Sequence, residues 1–251
     1  MMLKRDLLGW LLNVQVALSG LAVLLLPVVC RVRRVRYFRA IVWLAVLPVG
    51  VGAIVWRWMG VGHPPMRNLF EAFLWLPPIL AGLTMVTWWR ERVGTVWLDA
   101  LLGFVVAFPL AFVFSSAEGQ LPPALQSAFF VPHVLGYMLA YALLVRGFAL
   151  ACVGAERASR RNVGWGFLLL TVALGLGSMW GNEAWGAYWQ WDPKEQWSLA
   201  TWLIYAASFH CRHRRWARLT LLGAGVVAIV LTVTWINLSK LFPGMHSYAG
   251  L

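Results

Sequence analysis

The chain has 251 residues, of which 61% are hydrophobic and only 12% charged, and its mean hydropathy is +0.71. A soluble domain carries about 25% charged residues, so a water-soluble globular fold is excluded and a polytopic all-α membrane protein is indicated. The formal charge of +12 does not point to nucleic acid, because the basic residues lie in short connections between apolar runs.

Taken in chain order, the apolar runs predict about eight transmembrane helices near residues 7–29, 40–59, 68–89, 95–115, 129–153, 163–179, 193–211 and 219–237. The first run is too long for a cleavable signal peptide and lacks a small-residue cleavage site. Arginine orients the set. The first connection carries Arg31, Arg33, Arg34, Arg36 and Arg39, and the third carries Arg90 and Arg92. The fifth carries Arg157, Arg160 and Arg161, and the seventh Arg212, Arg214, Arg215 and Arg218. The even connections and the termini hold only Lys4, Arg5, Arg57, Arg67, Lys194 and Lys240, while Arg146 lies inside a span. The positive-inside rule puts the odd connections in the cytoplasm. Both termini, the loop around His63, residues 118–126 and a tryptophan-rich run then face the outer side. The expected organisation is one integral membrane domain, 1–251, with an outer tryptophan loop at 180–197.

That run is the densest feature of the sequence: five of the 17 tryptophans fall in it. Trp10, Trp56, Trp58, Trp75, Trp88, Trp89, Trp97 and Trp216 sit near span ends, as an interfacial belt requires. Trp180, Trp185, Trp189 and Trp191 are packed more tightly than a belt needs, and Gly181 and Gly186 among them permit close approach of a ligand. A flat aromatic shelf at a membrane surface suits a large planar ligand such as haem. The run ends in Asp192-Pro193-Lys194-Glu195, which reads as a helix start: Asp192 as N-cap, Pro193 as first helical residue, Glu195 as capping-box partner. The cap would close the aromatic loop sharply over the seventh span.

The five histidines sort by face. His63 lies in a Gly-His-Pro-Pro turn, and His213 is flanked by arginine; both read as structural. His133 stands at the entry of the fifth span, where an ionisable group is a functional candidate, and His246 lies in a glycine-containing outer loop. Two neutral imidazoles suit axial ligation of haem iron, with Met245 a lesser alternative to His246. His210 ends the seventh span, roughly 25 Å from Asp192, and cannot join the outer site. It either ligates a second, inner haem or complements the helix C-terminus. Cys30, Cys152 and Cys211 form no Cys-x-x-Cys pair and lie beside basic connections, so the chain offers no thiol redox chemistry of its own. Phosphate loops, hydrolytic triads and zinc spacings are also missing.

The string Trp-Gly-x-Tyr-Trp-x-Trp-Asp-Pro-Lys-Glu at 185–195 resembles the "WWD" signature of the cytochrome c assembly family. With Trp197, Thr201, Trp202 and a span ending at His210, it is similar to the CcsA/ResC branch. Gly244-Met245-His246-Ser247-Tyr248 resembles that branch's Gly-Leu-His-Ser-Tyr, and Pro65, Asn68, Leu69 and Glu71 its Pro-x-x-Asn-Leu-Tyr-Glu, with Phe70 in place of Tyr. The resemblance covers about positions 60 to 248. It implies a haem-handling role in system II cytochrome c biogenesis, with haem b as the substrate bound on the outer side. Carried over, His133 and His246 are the axial ligands of the haem iron. Trp180, Trp185, Trp189, Trp191 and Asp192 form the haem shelf. His210 belongs to an inner site completed by the partner.

The implied partners are a CcsB/ResB-type membrane protein, apocytochrome c, membrane lipid and, indirectly, thiol-reducing proteins, with no nucleic acid. The implied location is the bacterial cytoplasmic (inner) membrane, or a thylakoid membrane, with the site on the periplasmic or lumenal face. The implied activity is holocytochrome c synthase (haem lyase), exercised only with the partner and with no catalytic nucleophile on this chain. The alternatives are a haem exporter without ligase activity, as in the related CcmC type, and a non-haem membrane scaffold.

Overall fold

The computed structural model describes residues 2–25, 33–91, 95–211 and 213–235, so Cys30 and His246 lie outside the described residues. All regular structure among these residues is helical. The helices are α1 (Met2–Leu24), α2 (Arg33–Leu44), α3 (Val46–Val61), α4 (Leu69–Phe73), α5 (Leu76–Glu91), α6 (Val96–Phe112), α7 (Phe130–Cys152), α8 (Glu156–Trp185), α9 (Pro193–His210) and α10 (Arg215–Val230). A 3₁₀ turn occupies Pro123–Leu125 and a π turn Leu231–Trp235. Six helical segments are long and apolar enough to cross a membrane: Leu7–Leu24, Tyr37–Val61, Leu69–Trp89, Phe130–Cys152, Glu156–Trp185 and Arg215–Thr234. The remaining expected spans fall on α6, which is apolar but shorter, and on α9. The chain is an all-helical polytopic membrane protein, the class in which every backbone polar group is satisfied within its own segment.

Two expected spans are broken, each at proline. Pro48 has no N–H to give the Leu44 carbonyl, and the helix is interrupted at Ala45. Pro77 and Pro78 likewise cannot bond the carbonyls of Phe73 and Leu74, so α4 stops and α5 restarts after a turn at Leu74 and Trp75. The sixth span is longer than its apolar core at 163–179. Glu156 in the first turn of α8 is favoured at the helix's positive end and accepts from Arg218 Nη1 at 2.8 Å.

The helices form two compact units, residues 1–65 with 69–120, and residues 66–68 with 121–251. In the first, α1 packs on α6 and α3. The fully buried Trp43 donates its indole N–H to Thr84 Oγ1 at 2.8 Å, and that hydroxyl lies 2.6 Å from Asp99 Oδ2. Arg57, read from sequence only as a loop charge, is the anchor of this unit. It is buried with Glu71 and donates Nε and Nη2 to Glu71 Oε1 at 2.9 and 2.8 Å. It also donates to the carbonyls of Ser116 and Ala117 at 3.0 and 3.1 Å, which ties the loop after α6 to α3 and α4.

In the second unit α7 and α8 form the most extensive helix pair. They approach through small residues: a Cβ on Gly147 would lie 2.6 Å from Val163 Cγ2, and one on Gly166 2.8 Å from Leu144 Cγ. Buried Arg146 donates to Asn162 Oδ1 at 3.1 Å, and Arg218 Nη2 to Ser159 Oγ at 2.7 Å. These bonds lock the Cys152–Glu156 end of the pair and leave the opposite end to carry the tryptophans.

Candidate functional site

At that opposite end α8 continues through Trp180 to Trp185 and stops at Gly186, whose φ of 76° lies in the left-handed region that favours glycine. The Gly186 N–H closes the helix on the Asn182 carbonyl at 2.9 Å. The irregular stretch is therefore 186–192, shorter than the expected loop at 180–197, because both flanks are helical.

The exit of that stretch is built by the Asp-Pro-Lys-Glu segment. Asp192 is the N-cap of α9 and accepts the Lys194 N–H on Oδ1 at 2.8 Å; Pro193 takes the first helical position. Glu195 Oε2 reaches back to two amides, Asp192 N–H at 3.1 Å and Gln190 N–H at 2.8 Å. These amides flank Trp191, whose φ is +58°, the single positive value on a non-glycine among the described residues. A bulky residue in this region is strained and needs surrounding contacts to hold it. The two bonds to Glu195 are such contacts, and the Gln196 side-chain amide donates to the Trp191 carbonyl as a third. The indole of Trp191 is thereby held 65% exposed, edge-on to Trp189 with ring centroids 5.8 Å apart. Trp185 and Trp189 are half-buried and Tyr188 is exposed.

His133 lies in the first turn of α7, half-buried. Its Nδ1 is 2.8 Å from the Ala173 carbonyl of α8. A carbonyl only accepts, so Nδ1 carries the proton and the lone pair of the neutral ring is on Nε2. The ring packs edge-on to Tyr137 at 4.8 Å and beside Trp180 at 5.5 Å. Trp180 is buried, with its indole N–H on the Ala124 carbonyl at 2.7 Å and its ring 4.8 Å from Trp185. It forms the wall behind His133 rather than an open face.

Asp192 is buried at the loop exit, and His210 is the exposed last residue of α9, at the far end of that helix from Asp192. His246 lies outside the described residues. His63 sits in its turn with Nδ1 3.0 Å from the Pro64 carbonyl and Nε2 3.1 Å from the Gly119 carbonyl, in keeping with a structural residue. A cavity of about 110 Å³ in the first unit, lined by Leu8, Leu12, Trp56, Arg57 and Glu118 among others, includes none of the residues singled out from sequence as ligands. Sequence reasoning missed Ala173, Tyr137 and Gly177. Nothing local marks them, since each matters only through a ring on another turn or another helix.

A family model described as cytochrome C assembly protein matches residues 66–242. The chain belongs to the cytochrome c assembly protein family. Relatives include the cytochrome c biogenesis protein CcsA of Parasynechococcus marenigrum (strain WH8102), 33% identical over 247 residues, covering 78% of this chain and 81% of the relative. The protein of the same name from Guillardia theta is 30% identical over 255 residues, covering 78% and 80%. Among solved structures, Cytochrome c Heme Lyase CcmF superposes with a TM-score of 0.60 at 16% identity, covering 92% of this chain and 45% of that one. At that identity the likeness is one of fold. The stretch matched by the cytochrome c assembly family includes His133, the whole tryptophan run and His210, and ends before His246.

Proposed function

We propose that this chain is the haem-handling membrane component of a cytochrome c synthase. It presents haem b at the outer membrane face for thioether attachment to the Cys-x-x-Cys-His segment of apocytochrome c, and takes part in haem passage across the membrane. The observation that carries the reading is the 2.8 Å contact of His133 Nδ1 with the Ala173 carbonyl. An imidazole Nδ1–H donated to a carbonyl is the orienting contact typical of a metal-binding histidine, which would ligate through Nε2. The tryptophan run supports it with a loop whose strained backbone holds one indole outward.

In this reading His133 and His246 are the axial ligands, and Trp185, Trp189 and Trp191 lie against the porphyrin while Trp180 backs His133. Asp192 fixes the loop exit. Each substrate thiol adds its sulfur and its hydrogen across one vinyl double bond, so no side chain of this protein acts as nucleophile. The chain contributes orientation. His210 contributes to an inner haem position whose other ligand comes from a CcsB/ResB-type partner. The membrane is the bacterial cytoplasmic membrane or a thylakoid, with the site on the periplasmic or lumenal face.

The test is the absorption spectrum of the full chain purified with its partner, oxidised and reduced. Sharp low-spin bands are expected. They should disappear, together with cytochrome maturation, in His133→Gly/His246→Gly, and free imidazole should restore part of both. Full maturation by the double variant, or a wild-type preparation still colourless after haem supplementation, would overturn the assignment.

A further inference from the structure

One contact on α8 has no role in helix propensity or in capping. A Cβ placed on Gly177 would lie 2.4 Å from His133 Cε1 and 2.5 Å from its Nδ1. No real side chain tolerates such an approach, so the imidazole occupies space that exists only because residue 177 has no side chain. The same ring donates Nδ1–H to the carbonyl of Ala173, one helical turn earlier, at 2.8 Å. Regular α-helical register joins that carbonyl to the Gly177 N–H, so the notch and the acceptor are two parts of one turn. Gly136, one turn beyond His133 on α7, continues the close approach: its Cβ would lie 3.0 Å from that of Ala173. Gly175 on the same helix faces open space, with nothing within 4 Å.

We propose that the Ala173–Gly177 turn of α8 is a seat for the His133 imidazole, with Gly177 a positioning residue that sets where Nε2 is delivered and which tautomer delivers it. The inference rests on His133 being an iron ligand. An alanine at 177 must drive the ring away by at least about 1 Å to reach ordinary contact distance. That displacement breaks the bond to the Ala173 carbonyl and misplaces the ligand. Loss of an orienting contact behind a metal-bound histidine lowers metal affinity by about 10–100-fold.

The experiment compares the full chain carrying Gly177→Ala, Gly175→Ala, His133→Gly and His133→Gly/Gly177→Ala, each purified from haem-supplied cells with and without free imidazole. Haem content, the low-spin bands and, in haem-stripped protein, the ¹⁵N-histidine signals are read. Gly177→Ala should lose about tenfold or more of its haem, shift the remaining bands and lose the Nδ1-protonated signal of His133. Gly175→Ala should match wild type in all three. In the His133→Gly background without imidazole, Gly177→Ala should change nothing further, because the ring it displaces is gone; with imidazole it should weaken the rescue, because the free ring must enter the same notch. Wild-type haem and bands in Gly177→Ala would overturn the seat. So would an equal haem loss from Gly177→Ala in the His133→Gly background without imidazole, which would place its effect in the fold. A haem-free wild type would instead remove the ligand reading, and the ¹⁵N signals would still report whether the seat holds the ring.

Discussion

Replacing Glu195 by alanine tests whether Asp-Pro-Lys-Glu does more than start a helix. Glu195 Oε2 accepts two backbone N–H groups, one on each side of Trp191. Hydrogen bonds to a charged group contribute about 1.5–3 kcal/mol each, and the half-exposed site places these at the low end, so the pair contributes about 3 kcal/mol. Against them stands the left-handed backbone of Trp191, which costs about 1–2 kcal/mol for an L-residue. With the carboxylate present the strained loop wins; without it the relaxed loop does. The closed loop is then favoured by a net of about 1–2 kcal/mol, and Glu195→Ala should speed hydrogen exchange at the amides of Gln190 and Asp192 by about tenfold, at 1.4 kcal/mol per decade. The amide of Lys194, held by Asp192 Oδ1, should change far less. Glu195→Gln keeps an uncharged acceptor and should fall between. In a Trp191→Gly background, where the positive φ carries no strain, Glu195→Ala should leave these two amides better protected than Glu195→Ala alone does. Residue-resolved exchange in detergent micelles is the assay. Unchanged exchange at residues 190 and 192 in Glu195→Ala, or equal acceleration at 194, would refute the latch and leave a simple cap.

Two stability predictions concern the first unit. Arg57→Met leaves the Glu71 carboxylate buried without its arginine and should cost about 3–5 kcal/mol, whereas Arg57→Met/Glu71→Leu should recover most of that loss. Thermal unfolding in detergent separates the two, and equal destabilisation of both variants would show that the loop contacts to Ser116 and Ala117 matter more than the ion pair. Gly103→Ala would bring a Cβ to 2.3 Å from Trp43 Cη2 and should destabilise by about 1–3 kcal/mol. Gly52→Ala, with nothing within 4 Å, should not, and identical melting of the two would contradict the packing described for Trp43.

Much of the architecture is legible in the order of residues because it is local. Apolar runs and arginine-rich connections act within a few residues of themselves, so the spans follow from short windows of sequence, whereas the breaks before Pro48 and Pro77 are not expected from it. The capping box at Asp192 and Glu195 was readable for the same reason, and the structure has both of its bonds. The tryptophan run announced a special surface, and its resemblance to the cytochrome c assembly signature agrees with the family to which the chain belongs. Its internal division was not legible. Trp180 and Trp191 look equivalent as residues, yet one is buried behind His133 with its N–H on the Ala124 carbonyl and the other is exposed on a left-handed backbone.

The sequence by itself determined the class, the helical segments and the residue types available to the site. Those follow from hydropathy, chain stereochemistry and charge, which need no partner elsewhere in the chain. Only the tertiary structure decided which distant groups meet. Arg57 finds Glu71 and two loop carbonyls, and Trp43 finds Thr84 and the space at Gly103. His133 finds the carbonyl of Ala173 and the empty side of Gly177, 40 and 44 residues further along. Such pairings depend on how two helices are rotated against each other, a choice made by the whole interface of small and large side chains, and a single residue's neighbours in sequence carry no record of it.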